Sequence, residues 1–317
     1  MFPLLYIISQ SFLNKFKEYI LMSKKKFNFE HFYKNNYKKF LILPALLFIV
    51  SIYFIYVAIV TDGAPIYRDV SLKGGLSTII NVDTTTNAGE LQSSLEVEFS
   101  DNTFLISELF EEGKKVGFIV DTDLDEEQLV EYLNNRFDTK FEFGENYSSN
   151  FISPTLSNAF FKQAITILLI SFVLMSIVIF IYFREFVPSA AVVLSAIFDI
   201  IVTVGILNMM EFKISIAGIG ALLMLLGYSI DTDVLLTNRV FKERGEDNFE
   251  KLFFAFKTGT LMSVTTLIAG VCAMLLTNSQ VIFEISLILV IGLLVDYIST
   301  WLQNSAILLW WLENKDN

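Results

Sequence analysis

Six stretches of this sequence are apolar over about the length a helix needs to cross a bilayer, roughly 20 residues each. They are Phe40–Val60, Ala164–Phe183, Val187–Met210, Ile214–Leu236, Leu261–Thr277 and Val281–Trp311. Orientation follows from the lysines and arginines in the short flanks, which favour the cytoplasm. Lys24, Lys25, Lys26, Lys34, Lys38 and Lys39 precede the first span, and Arg184 separates the second from the third. Arg239, Lys242, Arg244, Lys251 and Lys257 lie between the fourth and fifth. With six spans all three positions fall on one side, so both termini are expected in the cytoplasm. The last segment is long for one crossing and is expected to tilt or to run into the interface, with Trp301, Trp310 and Trp311 near the inner boundary.

Composition agrees: 54% of the 317 residues are hydrophobic and the mean hydropathy is +0.56. The net charge of −11 is unevenly distributed. Residues 61–161 carry nineteen Asp/Glu against six Lys/Arg, so this segment more than accounts for it. The single cysteine, Cys272, sits in an apolar run and excludes a disulfide framework. His31, in a basic stretch beside Phe32 and Tyr33, reads as a surface residue, since one imidazole does not make a metal site. Met1 to Leu21 is broken by Asn14, Lys15, Lys17 and Glu18 and lacks a small-residue cleavage site. It reads either as an interfacial helix or as an over-long gene start with Met22 as the first residue.

Between the first two spans the pattern is that of a folded domain. Leu76–Val82 reads as a strand after Gly74-Gly75. Asn87 with Glu90 makes a capping box, and Leu91, Leu95 and Phe99 recur at helical spacing. Thr103–Leu109 and Lys115–Asp121 are strand-like across a turn at Glu112-Gly113. Asp123 with Glu126 reads as a second capping box, followed by Leu129, Val130, Leu133 and Phe137 on one helical face. Thr139–Phe143 is expected to close the domain as a strand. The order βαββαβ is the ferredoxin-like arrangement, a small α+β sandwich. The domain holds no histidine, cysteine or nucleophile elbow. Asp121, Asp123, Asp125, Glu126 and Glu127 lack the central glycine and the glutamate spacing of a calcium loop, and read as a solvated helix start. The chain therefore reads as a non-enzyme, with no cofactor, metal or nucleic acid implied. Its expected organisation is a cytoplasmic segment 1–39, a first span 40–60, an extracytoplasmic domain 61–161, a five-helix membrane region 162–312 and a cytoplasmic tail 313–317.

Ionisable residues inside spans are costly and are functional candidates by default. They are Asp199 in the third span, Asp231 and Asp233 in the fourth, and Glu284 and Asp296 in the sixth. Asp231 follows Gly220, Met224 and Gly227 on one helical stripe. Because glycines permit close approach, that stripe is expected to face packed neighbours, with Tyr228 and Ser229 completing a packing motif. A buried carboxylate can be brought toward the working pH by loss of solvation, so Asp231 is the favoured proton-relay candidate, then Asp199, then Asp233. Asp233 is expected near the inner interface and partly hydrated. Asp296 reads as part of a structural polar cluster with Tyr297 and Asn304, and Glu284 as interfacial. A protease dyad of Asp231 and Asp296 is disfavoured because neither acid stands in a Y-D or G-x-G-D context.

Several short motifs resemble the SecF family of protein-export membrane subunits. Asp69-Val-Ser-Leu-Lys-Gly-Gly75 resembles its D-F-x-G-G signature, and Ile152-Ser-Pro-Thr-Leu156, with Pro154, its G-P-x-x-G segment just before the second span. Gly227-Tyr-Ser-Ile-Asp231 with Thr232, Asp233 and the exit Arg239-Val-Phe-Lys-Glu243 resembles its fourth-span motif, and Thr258 to Thr266 its threonine-rich fifth span. The resemblance runs from the first span to the C-terminus. It implies half of a resistance-nodulation-division (RND) transporter plan and a SecD-like six-span partner. It further implies a place beside the SecY channel in a lipid membrane, and assistance to a translocating polypeptide driven by protons. Two departures stand out. The family's N-D pair reads Asp231-Thr232, with a second acid at Asp233, and a bacterial arginine position falls on Thr258 beside Lys257. Both resemble the archaeal branch. An RND-type exporter of small molecules or lipids shares the span plan, but usually has two six-span halves and larger external domains.

Overall fold

The computed structural model describes residues 39–82, 86–100, 102, 104–111, 114–242, 248–277 and 279–315. His31, the 1–21 segment, Lys24 to Lys38, the Glu112-Gly113 turn, Glu243 and Arg244 lie outside the described residues. Helix α1 spans Ile42–Asp62 and is followed by the single turn α2, Val70–Lys73. Then come β1 (Gly75–Asn81), α3 (Ala88–Glu98), β2 (Phe104–Glu111), β3 (Lys114–Thr122), α4 (Glu126–Phe137) and β4 (Tyr147–Ile152). The rest is helical: α5 (Pro154–Phe183), α6 (Phe186–Met209), α7 (Ile216–Lys242), α8 (Asn248–Leu276) and α9 (Gln280–Ile298). A π-helical turn, Ser299–Asn304, joins α9 to α10 (Ser305–Lys315).

Six helices are long and apolar enough to cross a membrane, with α9, the π turn and α10 forming the sixth. They match the six apolar runs, but two start earlier than hydropathy suggests. Helix α5 begins at Pro154, whose fixed φ suits the first helical position, and continues through Lys162 before it becomes strongly apolar. Helix α8 likewise begins at Asn248, thirteen residues before its apolar run. Helices α6, α7 and α9 are the most buried, whereas α1, α5 and α8 expose most of their apolar windows.

Close approach between these helices is set by particular glycines. A Cβ on Gly205 of α6 would lie 2.3 Å from the Ser51 side chain of α1, and one on Gly292 of α9 would lie 2.3 Å from Leu225 of α7. A Cβ on Gly259 of α8 would lie 2.5 Å from the Trp301 ring. Trp301 is therefore bundle core, edge-on to Phe256, and not the boundary anchor its residue type suggested. In lipid, where apolar burial gives little drive, such close packing holds helices together.

The domain between α1 and α5 is the expected βαββαβ sandwich. Its sheet has the order β2-β3-β1-β4 with every neighbour antiparallel. Leu76 and Ile80 of β1, Phe118 and Val120 of β3, Leu91 and Leu95 of α3, and Leu129 and Leu133 of α4 form one core. Burying each such side chain is worth about 1.5–3 kcal/mol. Asn87 caps α3 by accepting from the Glu90 N–H, as expected. Asp125, not Asp123, precedes the first turn of α4 and its side chain makes no cap bond there, while the Asp123 carboxylate accepts from Asn102.

The fourth strand is displaced from the expected Thr139–Phe143. That segment does alternate, but Phe141 turns into the core while Phe143 stays exposed and forms only an isolated bridge to Tyr147. The Asn134 side chain holds this plug by accepting from the Phe141 N–H at 2.7 Å. Tyr147–Ile152 pairs along β1 instead.

Strand β3 crosses β1 closest at Gly117, where a Cβ would lie 1.8 Å from the Ile80 carbonyl oxygen. Gly117→Ala is expected to destabilise the sheet by about 1–3 kcal/mol. Hydrogen exchange on the full chain should show this as faster exchange across β1 and β3, with α6 and α7 unchanged.

Candidate functional site

The three most buried span helices carry three acids to one point. Asp199 of α6, Asp233 of α7 and Asp296 of α9 are all buried, and each offers a carboxylate oxygen within 4.8 Å of the others. Among the described residues, no lysine or arginine is ion-paired with any of them. The groups around them are hydroxyls and one amide. Ser229 and Ser299 donate to the two oxygens of Asp199, each at 2.5 Å. Thr232 lies 3.0 Å and 3.2 Å from the oxygens of Asp296. Thr300 lies 3.0 Å from Asp233 and 3.3 Å from Asp296, bridging the two. The Asn304 amide donates to Asp233 at 2.7 Å.

The π turn explains how one helix supplies so many of these donors. Its backbone bonds close from residue i to i+5, as in the Ser305 N–H to the Thr300 carbonyl. Ser299, Thr300 and Asn304 of this turn all face the cluster. A charge set of this kind has a chemical consequence. Three carboxylates this close, buried and ion-paired to no lysine or arginine among the described residues, repel one another when ionised. Protons held by the cluster would relieve that repulsion, and hydroxyls that can both donate and accept connect its members. The same hard oxygens would also suit a small cation.

The expected residues are thus only partly brought together. Asp199 is buried as expected. Asp233, expected to be partly hydrated, is fully buried. Asp231, expected to face packed neighbours, is exposed, and so are Gly220, Met224 and Gly227 on its stripe. Added Cβ atoms on Gly220 and Gly227 would meet nothing within 4 Å, so these glycines mediate no packing among the described residues. The reason is helical phase. Residues 231 and 233 point about 200° apart. The face that packs is that of Leu222, Leu225, Ser229, Asp233 and Leu236. Of the expected packing motif, Ser229 is inside, bonded to Asp199, and Tyr228 is half-buried. Asp296 belongs to the acid cluster, while Tyr297 instead meets Thr260 of α8. Lys257 and Thr258 are exposed on α8.

At the other end of α7, the signature residues Asp69, Gly74, Gly75 and Pro154 form a neck beneath the sheet domain. Asp69 caps α2, its Oδ1 accepting from the Ser71 N–H at 2.9 Å and the Ser71 hydroxyl at 2.6 Å. Gly74 has φ +93°, and a Cβ there would lie 2.5 Å from Cα of Pro154. Gly75 has φ +144°, and a Cβ there would lie 2.5 Å from the Thr122 carbonyl. Only glycine accepts both the left-handed backbone and the contact. Arg68 ties the neck down, pairing with Asp62 at 3.1 Å, donating to Asn158 at 3.3 Å and stacking over Phe161. Glu284, expected at the interface, is buried. It accepts from the N–H and the hydroxyl of Ser215, both at 2.7 Å, just ahead of α7.

Comparison with known proteins places this geometry. The family described as "Protein export membrane protein SecD/SecF, C-terminal" matches residues 132–314. A protein-export membrane protein SecF from Methanolacinia petrolearia is 34% identical over 284 residues, covering 87% of this chain and 94% of that protein. The chain belongs to the SecF family. A SecF from Methanothermobacter thermautotrophicus is 32% identical, covering 88% and 93%. The crystal structure of SecDF, a translocon-associated membrane protein from Thermus thermophilus, shares the fold with TM-score 0.65 and 20% identity, over 88% of this chain. This chain spans 38% of the length of that one.

Within the SecF family pattern, the shifted acid now has a structural meaning. Of the two acids in Asp231-Thr232-Asp233, the second reaches the cluster, and Thr232 between them bonds Asp296. The sequence signal that could have singled out Asp233 is its spacing from Ser229, four residues earlier on the same face. Asn304→Ala is expected to lower the stability of the purified chain by about 1–3 kcal/mol, because Asp233 loses a buried donor. Asp231→Ala, on the exposed stripe, should change it by no more than about 0.5 kcal/mol. Thermal unfolding in detergent would compare them.

Proposed function

We propose that this protein is an accessory subunit of the Sec export machinery. In this reading it joins a SecD-like six-span partner beside the SecY channel and assists late translocation of secreted polypeptides, drawing on the proton gradient. Membership in a family whose relatives are named protein-export membrane proteins supports the export role. The observation that carries the proton reading is the buried cluster of Asp199, Asp233 and Asp296 on the three central helices, joined by hydroxyls and ion-paired to no lysine or arginine among the described residues. Its hydroxyls provide a path by which a proton can pass between acids, Thr300 bridging Asp233 and Asp296 and Ser299 reaching Asp199. This moves the relay from Asp231, the favoured sequence candidate, to Asp233. The outward stripe of Gly220, Met224, Gly227 and Asp231 supports a partner subunit, since it is a face this chain leaves uncovered. Both termini lie in the cytoplasm in this proposal, and residues 61–161 form the extracytoplasmic domain.

The test is export of a reporter preprotein in sealed vesicles containing the chain and its SecD-like partner under an imposed proton gradient. Asp233→Asn and Asp199→Asn should each reduce the gradient-stimulated rate by at least about tenfold, as loss of a positioned proton-transfer group does. Asp231→Asn should leave most of it. Undiminished gradient-dependent export by Asp233→Asn would refute the relay at this cluster. Stimulation that follows a sodium gradient instead would assign the cluster to a metal cation.

A further inference from the structure

Far from the acid cluster, the neck and the amino ends of α7 and α9 are joined by a short chain of polar groups. Ser71 receives the Ile216 N–H on its hydroxyl at 3.2 Å while donating that hydroxyl to Asp69. One residue earlier, Ser215 is held by Glu284 of α9, and its hydroxyl accepts from the Ala217 and Gly218 N–H groups. The strand-like stretch before α2 is also bound to the loop before α7. Asp69 N–H donates to the Ile214 carbonyl at 3.2 Å, and Ile214 N–H to the Tyr67 carbonyl at 2.8 Å. The neck of the sheet domain therefore ends on the same turn that starts α7, the helix that carries Asp233.

We propose that Asp69, Ser71, Ser215 and Glu284 form a latch, closed when Asp69 is protonated, that fixes the sheet domain's neck to the amino ends of the two helices bearing Asp233 and Asp296. The charges that surround Asp69 bear on its protonation. Facing it are Arg68 and Lys73 of the neck, Asp121 and Asp123 at the end of β3, Lys213 of the α6–α7 loop, and Glu284 of α9. The cations do not neutralise it. Arg68 and Lys73 are both drawn to Asp62, and Lys213 points its ammonium at the Phe104 carbonyl. Burial pushes Asp69 up to about 6, against the hydrogen bonds from Ser71, with Glu284 and Asp121 adding like-charge repulsion. Burial also raises Asp121 and lowers Lys213, as expected for a partly closed space between the sheet and the loop.

The sign follows from linkage. An opened neck would return Asp69 to its ordinary value of about 4. The closed neck binds the proton more tightly, so it is favoured at low pH and weakens as pH rises from about 4 through about 6. The full change is about 100-fold in the closed-to-open ratio, of which about 20-fold falls between about pH 4.5 and about pH 7.5. Use of the latch in export rests on the relay reading above; the latch itself does not.

Hydrogen exchange on the full chain in lipid nanodiscs tests it, with rates corrected for intrinsic base catalysis. Protection of the Leu72, Lys73, Gly74 and Ile216 amides should fall about 20-fold between about pH 4.5 and about pH 7.5. Asp69→Asn should make it independent of pH. A flat wild-type profile, or an unchanged profile in Asp69→Asn, overturns the proposal. If Asp69→Asn does not fold, Ser71→Ala serves. It should expose Ile216 selectively while the β1 and β3 amides stay protected, and no selective loss overturns the latch. Because this readout needs no export, failure of Asp233→Asn to affect export would refute the relay and leave the latch standing.

Discussion

Three carboxyl groups share one buried space, and among the described residues no lysine or arginine is ion-paired with any of them. Ion pairs would be the ordinary way to make such a site tolerable. Here hydroxyls and an amide surround the acids, and they come from two elements: Ser229 and Thr232 of α7, and Ser299, Thr300 and Asn304 of the π turn. The central helices must therefore be close and in fixed phase. Gly205, Gly259 and Gly292 provide that closeness by letting α1, the Trp301 ring and α7 approach backbone directly. The polar site and the small-residue contacts are one requirement seen from two sides.

The π turn is the device that reconciles length with chemistry. In a continuous α-helix Thr300 and Asn304, four residues apart, would share a face, with Ser299 about 100° round from Thr300. Closing bonds from i to i+5 spends one extra residue and keeps Ser299, Thr300 and Asn304 buried together. It also seats Trp301 against Gly259 and Phe256, so the same six residues serve the acid cluster on one side and α8 packing on the other.

Much of this architecture was legible in the sequence, because long apolar runs and period-specific patterns report local physics directly. The six spans, the βαββαβ order and the Asn87 cap follow from hydropathy, alternation and capping chemistry. What failed were the inferences that depend on which face of a helix finds a neighbour. Gly220 and Gly227 look like a packing stripe, but helical phase alone cannot say that α7 turns Ser229 and Asp233 inward instead. Thr139–Phe143 alternates like a strand, yet Phe141 is worth more as a core plug than as a rung of the ladder. Glu284 and Trp301 sit where their residue types suggest an interface, and both are buried because of partners far away in sequence, Ser215 and Gly259. The π turn had no signal beyond a dense polar run inside an apolar helix.

The sheet domain enters and leaves the membrane part through adjacent strands. Gly75, where β1 begins, is paired with Ile152, where β4 ends, so the two attachment points lie one strand spacing apart, about 5 Å. A module whose ends meet in this way sits as an insertion between two helices, and an exchange would have to keep the neck bonds from Asp69 and Ser71 to the start of α7. The membrane half of this architecture is thus a chassis with a single socket between its first and second spans. Any outer domain carried on it would have to end in the same neck.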